Sequence, residues 1–320
     1  MSKKDVIISV KDLRRLFGKL EAVGGISFDI YRGQVVGFIG ANGAGKTTTM
    51  RMISTLDLPT SGQIRICGED AIDDPNAVRS KIGWVPDEFG RYPDMTVYEY
   101  LDFFARAFDY QAQERKNRIE EVMEFTGLVS LQDRYIDKLS KGQGQKVCLG
   151  RALLHDPEIL LMDEPAAGLD PQARLEFKNL IRILAEEGKT IFISSHILSE
   201  LSEMCEKMIF LHQGKLLHHG TTDDLKKGAC NDVSVFVELT NDPQELEDWA
   251  ELNPKVRLVE KTKNGGRLVF KEVDDAFIAD SLKRMIMDDL QVVDFRREQR
   301  TLETAFIDLV RGADKKLISI

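Results

Sequence analysis

The chain has 320 residues, 42% of them hydrophobic and 30% charged, with a formal net charge of -9. This is ordinary globular composition, long enough for two domains, and its acidic balance argues against broad, nonspecific nucleic-acid binding, so no nucleic-acid partner is expected. Cys67, Cys148, Cys205 and Cys230 are scattered with no C-x-x-C pair, which supports neither a zinc site nor a redox motif and reads as isolated reduced thiols of a cytosolic protein.

At the N-terminus, Lys3 and Lys4 precede only a short apolar run before Lys11, so a signal peptide is not expected. No apolar stretch approaches the roughly 20 residues that cross a bilayer. The first strong signal is the apolar run 35–39 entering Gly40-Ala41-Asn42-Gly43-Ala44-Gly45-Lys46-Thr47-Thr48. It matches G-x-x-x-x-G-K-T between a buried strand and a helix that begins near Gly45. The glycines let the backbone N–H groups converge on a phosphate, and the helix adds its positive dipole end. Lys46 is placed to reach the β- and γ-phosphates of a nucleotide, and the Thr47 hydroxyl to take one site on Mg²⁺.

Farther along, Thr96 and Glu99 have capping-box spacing ahead of the apolar, aromatic stretch 100–108, which predicts a helix and the start of a helical subdomain over about 87–155. Ser140 precedes a run of helix formers over 141–154 and reads as an N-cap. The apolar run 159–162 predicts a buried parallel strand, and Asp163 then lies at its C-terminal end, where a carboxylate can hold Mg²⁺ directly or through water. Side-chain alternation along an extended chain would aim Glu164 elsewhere and free it to polarise an attacking water. Pro171 after Asp170 suits a first helical turn. A further strand over 190–194 ends just before His196, whose imidazole can hydrogen-bond a γ-phosphate and hold Glu164 in position. The remaining histidines, His155, His212, His218 and His219, read as surface or structural. A hairpin is predicted from the run 208–211, the Gln213-Gly214 turn and 215–217.

Taken in order, the phosphate cradle, Leu139-Ser140-Lys141-Gly142-Gln143, Asp163-Glu164, Gly168-Leu169-Asp170 and His196 resemble the ATP-binding-cassette ATPase family over about residues 5–220. The signature, with Lys141 where many cassettes have Gly, looks most like the ATP-binding subunits of ABC-2-type exporters. The resemblance implies an α/β fold, a P-loop NTPase cassette with a helical subdomain, and ATP and Mg²⁺ as cofactors. It implies that Gly40, Asn42, Gly43, Gly45, Lys46, Thr47 and Thr48 hold the nucleotide phosphates. It further implies that Ser140, Gly142 and Gln143 face the γ-phosphate held by another subunit, and that Asp170 lies at the dimer contact. The chain has one cradle and one signature, so two complete sites need a homodimer or a heterodimer with a second ATPase subunit.

Other implied positions carry alternatives. Phe17 stands where the family stacks an aromatic on adenine, or it fills the core. Asp87 occupies a position usually held by Gln, sometimes Glu, and its shorter carboxylate can still join the Mg²⁺ shell as a hard oxygen ligand. Phe89 and Tyr92 are either contacts for a membrane subunit or packing residues of the helical insert. An integral membrane permease of ABC-2 type is the implied partner, and the cytoplasmic face of the membrane the implied location. Rival readings are a soluble cassette protein without a membrane partner and a regulatory subunit with little turnover.

Beyond 225 the character changes, with Lys226-Lys227-Gly228 as a linker and a second domain over 230–320. A strand over 233–239, a helix over 243–252, a hairpin of 256–261 and 267–270 about Asn264-Gly265-Gly266, a helix over 274–287 and a strand over 292–296 predict a small α+β, ferredoxin-like βαββαβ unit. Residues 301–306 resemble the terminal helix of exporter-type subunits.

Overall fold

The computed structural model describes residues 5–88, 90, 92–227, 232–240, 242–271 and 273–298, with 302, 305, 306, 309 and 310. Phe89, Gly228, Cys230, Thr301, Glu303 and Thr304 lie outside the described residues. The chain divides between Thr221 and Thr222 into two units.

In the first unit, β1 (Val6–Phe17) and β2 (Leu20–Tyr31) pair antiparallel and bury one apolar face, with Ile8, Val10, Val23, Ile26 and Phe28 turned inward. These strands are not among the elements predicted above. Then follow β3 (Val35–Ile39), α1 (Lys46–Ile53), β4 (Ser61–Ile66), β5 (Glu69–Asp70), α2 (Pro75–Arg79) and β6 (Ile82–Val85). The helical segment is α3 (Val97–Ala107), α4 (Ala112–Thr126) and α5 (Lys141–Leu153), after which come β7 (Ile159–Met162), α6 (Pro171–Glu186), β8 (Thr190–Ser195), α7 (Leu198–Ser202), β9 (Lys207–His212) and β10 (Lys215–Thr221).

Two sheets form, an antiparallel one ordered β2-β1-β4-β5 and a six-stranded one ordered β10-β9-β3-β8-β7-β6. Phe28 binds them together, its ring 6.3 Å from Phe38 and 5.8 Å from Phe192. Within the larger sheet β9, β3, β8, β7 and β6 run parallel, and the register pairs Ile39 with Ser195, Met162 with Ile193 and Val85 with Met162. Gly40, His196, Asp163 and Pro86 therefore leave neighbouring strands along one carboxyl edge, the edge at which open α/β sheets bind ligands.

The helical segment opens on a capping box in which Thr96 Oγ1 accepts the Glu99 N–H at 3.2 Å and Glu99 Oε2 accepts the Thr96 N–H at 2.8 Å. Tyr92 packs into this segment, its ring 5.1 Å from Tyr100 and 6.2 Å from Phe104. Packing is thus the reading the structure favours for Tyr92. His155 stacks on Phe108 at 4.3 Å and its Nε2 bonds the Ile82 carbonyl at 3.0 Å, a structural role. No described helix is long and apolar enough to cross a membrane.

The second unit comprises α8 (Thr222–Lys227), β11 (Val233–Leu239), α9 (Gln244–Glu251), β12 (Val256–Thr262), β13 (Gly265–Phe270), α10 (Asp275–Met287) and β14 (Val292–Glu298). Its antiparallel sheet is ordered β12-β13-β11-β14, the split βαβ arrangement. Two local expectations shift. Lys226 and Lys227 end helix α8 instead of forming a linker. The hairpin turn is Lys263-Asn264, since Thr262 already pairs with Gly265. Gly265 and Gly266 belong to β13, pairing with both β11 and β12, and a Cβ at Gly265 would lie 2.1 Å from the Val237 carbonyl oxygen, so only glycine admits the close strand there.

Candidate active site

The cradle begins where β3 ends. Gly45 sits at the N-cap of α1 with φ 104, and a Cβ there would meet the Ala22 carbonyl oxygen at 2.4 Å, so the turn into the helix requires glycine. No side chain caps this terminus, and the first N–H groups of a helix lack intrahelical partners, so those of Lys46, Thr47 and Thr48 are available to an anion. Lys46 is only 5% exposed. Its Nζ donates to the Gly40 carbonyl at 2.8 Å and lies 3.2 Å from Glu164 Oε1. Asn42, Gly43 and the Thr47 side chain stand exposed at the mouth.

Asp163 follows β7, is buried, and is tied to β6 by its N–H donating to the Val85 carbonyl at 2.8 Å. The Ser194 hydroxyl donates to Asp163 Oδ1 at 2.6 Å and accepts the Glu164 N–H at 2.9 Å. Glu164 corrects one step of the sequence reading. Its φ is 46, so the backbone is left-handed there, and the divergence of the two acids comes from this turn and not from strand alternation. Such non-glycine conformations are costly and gather at functional sites. The turn carries the Glu164 carboxylate to Lys46 and, through Oε2, to His196 Nδ1 at 2.6 Å. Lys46, Glu164 and His196, from three segments, thus form one cluster of contacts. Ser194, which the sequence reading passed over, organises both acids; its one signal is its place two residues before His196.

Ser140 and Gln143 form a second capping box at the start of α5, with Ser140 Oγ accepting the Gln143 N–H at 3.3 Å and Gln143 Oε1 accepting the Ser140 N–H at 3.1 Å. Asp170 caps α6, its Oδ1 accepting the Ala173 N–H at 2.9 Å. Ser140 and Asp170 are exposed and Gly142 and Gln143 partly so. Among the described residues no hydrogen bond or ion pair joins any of these four to Lys46, Glu164 or His196 within the chain.

A family profile described as ABC transporter matches residues 23–167. The Nod factor export ATP-binding protein I of Paraburkholderia xenovorans is 35% identical over 274 residues, covering 85% of this chain and 88% of that protein. This chain belongs to the ABC transporter family. The bacitracin transport ATP-binding protein BcrA of Bacillus licheniformis is 41% identical over 69% of this chain and 72% of its own length. Among solved structures, an ATP-binding subunit of an ABC transporter superposes with a TM-score of 0.63 at 31% identity, over 69% of this chain and 92% of that one. A dimeric ATP-binding cassette in a post-hydrolysis state, bound to ADP and Pi, gives 0.62 at 27% identity, over 67% and 98%. The chain is an ATP-binding ABC-transporter subunit and an ATPase, with the cassette fold its motifs predicted.

Two cassette positions left open by the sequence now have surroundings. Phe17 ends β1 at 48% exposed with the Arg15 guanidinium 4.6 Å from its ring centre, so it does not fill the core. Asp87 Oδ1 lies 3.5 Å from Lys141 Nζ. Its carbonyl is held at 2.7 Å by the amide of Gln145, a fully buried residue that the motifs did not single out. Mg²⁺, usual for such ATPases, fits the donors present: the exposed Thr47 hydroxyl and the buried Asp163 carboxylate are hard oxygens. Among the described residues no cluster of three His, Cys, Asp or Glu forms a cage, and Mg²⁺ characteristically shares its shell with substrate phosphates and water.

Proposed function

We propose that this chain is the ATP-hydrolysing subunit of an ABC-2-type exporter, acting at the cytoplasmic face of the membrane through a separate permease subunit. It works as a homodimer or with a second ATPase subunit, and ATP-driven closure of the dimer moves the permease. The observation that carries this reading is half a site: Lys46, Glu164 and His196 meet in one cluster, while Ser140, Gln143 and Asp170 stand apart at helix termini of the same chain. A second copy would bring the α5 terminus to the terminal phosphate.

In this scheme the loop N–H groups and Lys46 bind the β- and γ-phosphates, with Gly40, Asn42, Gly43, Gly45 and Thr48 shaping the cradle and Phe17 stacking on adenine. Glu164 accepts the proton of the attacking water, and His196 holds its carboxylate in place. Mg²⁺, held through Thr47, Asp163 and Asp87, would supply charge neutralisation at the phosphates. Ser140, Gly142 and Gln143 complete the enclosure from the other subunit, with Asp170 at the contact. Most of the rate effect is positioning and preorganised charge, since phosphoryl transfer asks little covalent chemistry of a protein. Export is supported by the printed name of one relative, the Nod factor export ATP-binding protein.

Affinity purification of the tagged chain from detergent-solubilised membranes tests the assignment. A copurifying chain with about six apolar spans of bilayer length supports it. Recovery of the chain alone, with an ATPase rate indifferent to membranes, would favour a cassette protein that acts without a permease.

A further inference from the structure

The carboxylate of Glu200, on α7, is buried yet lies outside the contact cluster of Lys46, Glu164 and His196. Burying an ionised carboxylate is expensive unless it is paired and hydrogen-bonded. Arg174 Nη1 lies 3.3 Å from Glu200 Oε1, and the Ser195 hydroxyl donates to Glu200 Oε2 at 3.3 Å. The same Ser195 oxygen accepts the Ile197 N–H at 2.9 Å. His196 is the residue between these two, so Glu200 grips the turn that presents the imidazole. On the other side, Arg174 Nη2 donates to the Leu169 carbonyl at 3.2 Å, and Leu169 adjoins Asp170.

We propose that Glu200 is a positioning residue for hydrolysis: through Ser195 it orients His196 and hence Glu164, and through Arg174 it ties that orientation to the Leu169-Asp170 loop. The chain of contacts runs from Leu169 through Arg174, Glu200 and Ser195 to the backbone on either side of His196, and ends at the 2.6 Å contact with Glu164. A shift of the Leu169-Asp170 loop when a second subunit docks would therefore reach the base without passing through bound nucleotide. The surface pair Lys178 with Glu203, on the same two segments, makes a contrast, for among the described residues it joins no group of the site. This inference rests on the roles proposed above for His196 and Glu164.

The test compares Glu200→Gln, His196→Ala and the double variant in the full-length chain, reading kcat, KM and the affinity for ATP. Gln keeps a hydrogen-bond acceptor for Ser195 and removes the charge facing Arg174. Expected are a fall in kcat of about tenfold for Glu200→Gln, ATP affinity within about twofold of wild type, and no further fall when the change is added to His196→Ala. Arg174→Lys, which keeps the charge but loses the fork that reaches both Leu169 and Glu200, gives a second reading if Glu200→Gln fails to fold. Its kcat should fall severalfold, again only when His196 is present. Wild-type kcat in the folded variants, or an equal loss on top of His196→Ala, overturns the proposal while leaving His196 in place. A fully active His196→Ala protein overturns the role of His196 and this proposal with it.

Discussion

Lys46 Nζ and Glu164 Oε1 form a 3.2 Å ion pair turned away from solvent, with side chains 4% and 16% exposed. The cation proposed to bind phosphate and the proposed base are therefore in direct contact, with a left-handed turn at Glu164. A bound γ-phosphate would enter between groups already oriented, which limits what must reorganise during reaction.

Glu164→Gln keeps the shape of the side chain and removes its basicity. Hydrolysis should slow by about 10²-fold or more, ATP should still bind, and an ATP-bound dimer should accumulate in size-exclusion chromatography. Turnover at the wild-type rate would remove Glu164 from its assigned role.

Phe17→Ala tests adenine stacking on the exposed ring at the end of β1. Loss of an aromatic stack is worth about 0.5–1.5 kcal/mol, so the affinity for a fluorescent ATP analogue should drop by roughly two- to tenfold with kcat at saturation unchanged. Unaltered affinity would exclude Phe17 from the site.

His155 gives a stability prediction with a defined sign. Burial pushes its pKa below the ordinary histidine value, although the bond to the Ile82 carbonyl acts the other way. The unfolded chain takes up the proton near pH 6.5 while the folded chain resists it, so this stability is complete above about pH 6.5 and is lost as pH falls toward the depressed value. His155→Gln retains a donor for Ile82 and does not titrate. It should cost about 1 kcal/mol at pH near 7.5 through the lost stack on Phe108, and that gap should narrow by pH 5 in urea unfolding of the first unit. A gap that widens on acidification would contradict the assignment.

The elements legible in the sequence are those whose cause is local. The Gly45 turn into α1, the capping boxes at Thr96 and Ser140 and the Asp170-Pro171 start of α6 each depend on groups within a few residues of one another. Residue types and order along the chain were enough to name the family and to nominate Lys46, Asp163, Glu164 and His196. Tertiary structure alone decided how those groups face each other. Ser194 reaches Asp163 from 31 residues away and Gln145 reaches Asp87 from 58, across neighbouring strands or from helix to strand end. The left-handed backbone at Glu164 is held by such a contact, the Ser194 hydroxyl on its N–H. Alternation along one strand cannot foresee it, and the group that meets the Glu164 N–H comes from another strand. The same holds for Phe17, left exposed at the end of β1, and for the shifted hairpin turn, where Gly265 already pairs with Thr262 and with Glu238 of β11. Sequence carries what a few consecutive residues can enforce on one another; the parallel sheet, which sets distant strand ends side by side, supplies the rest.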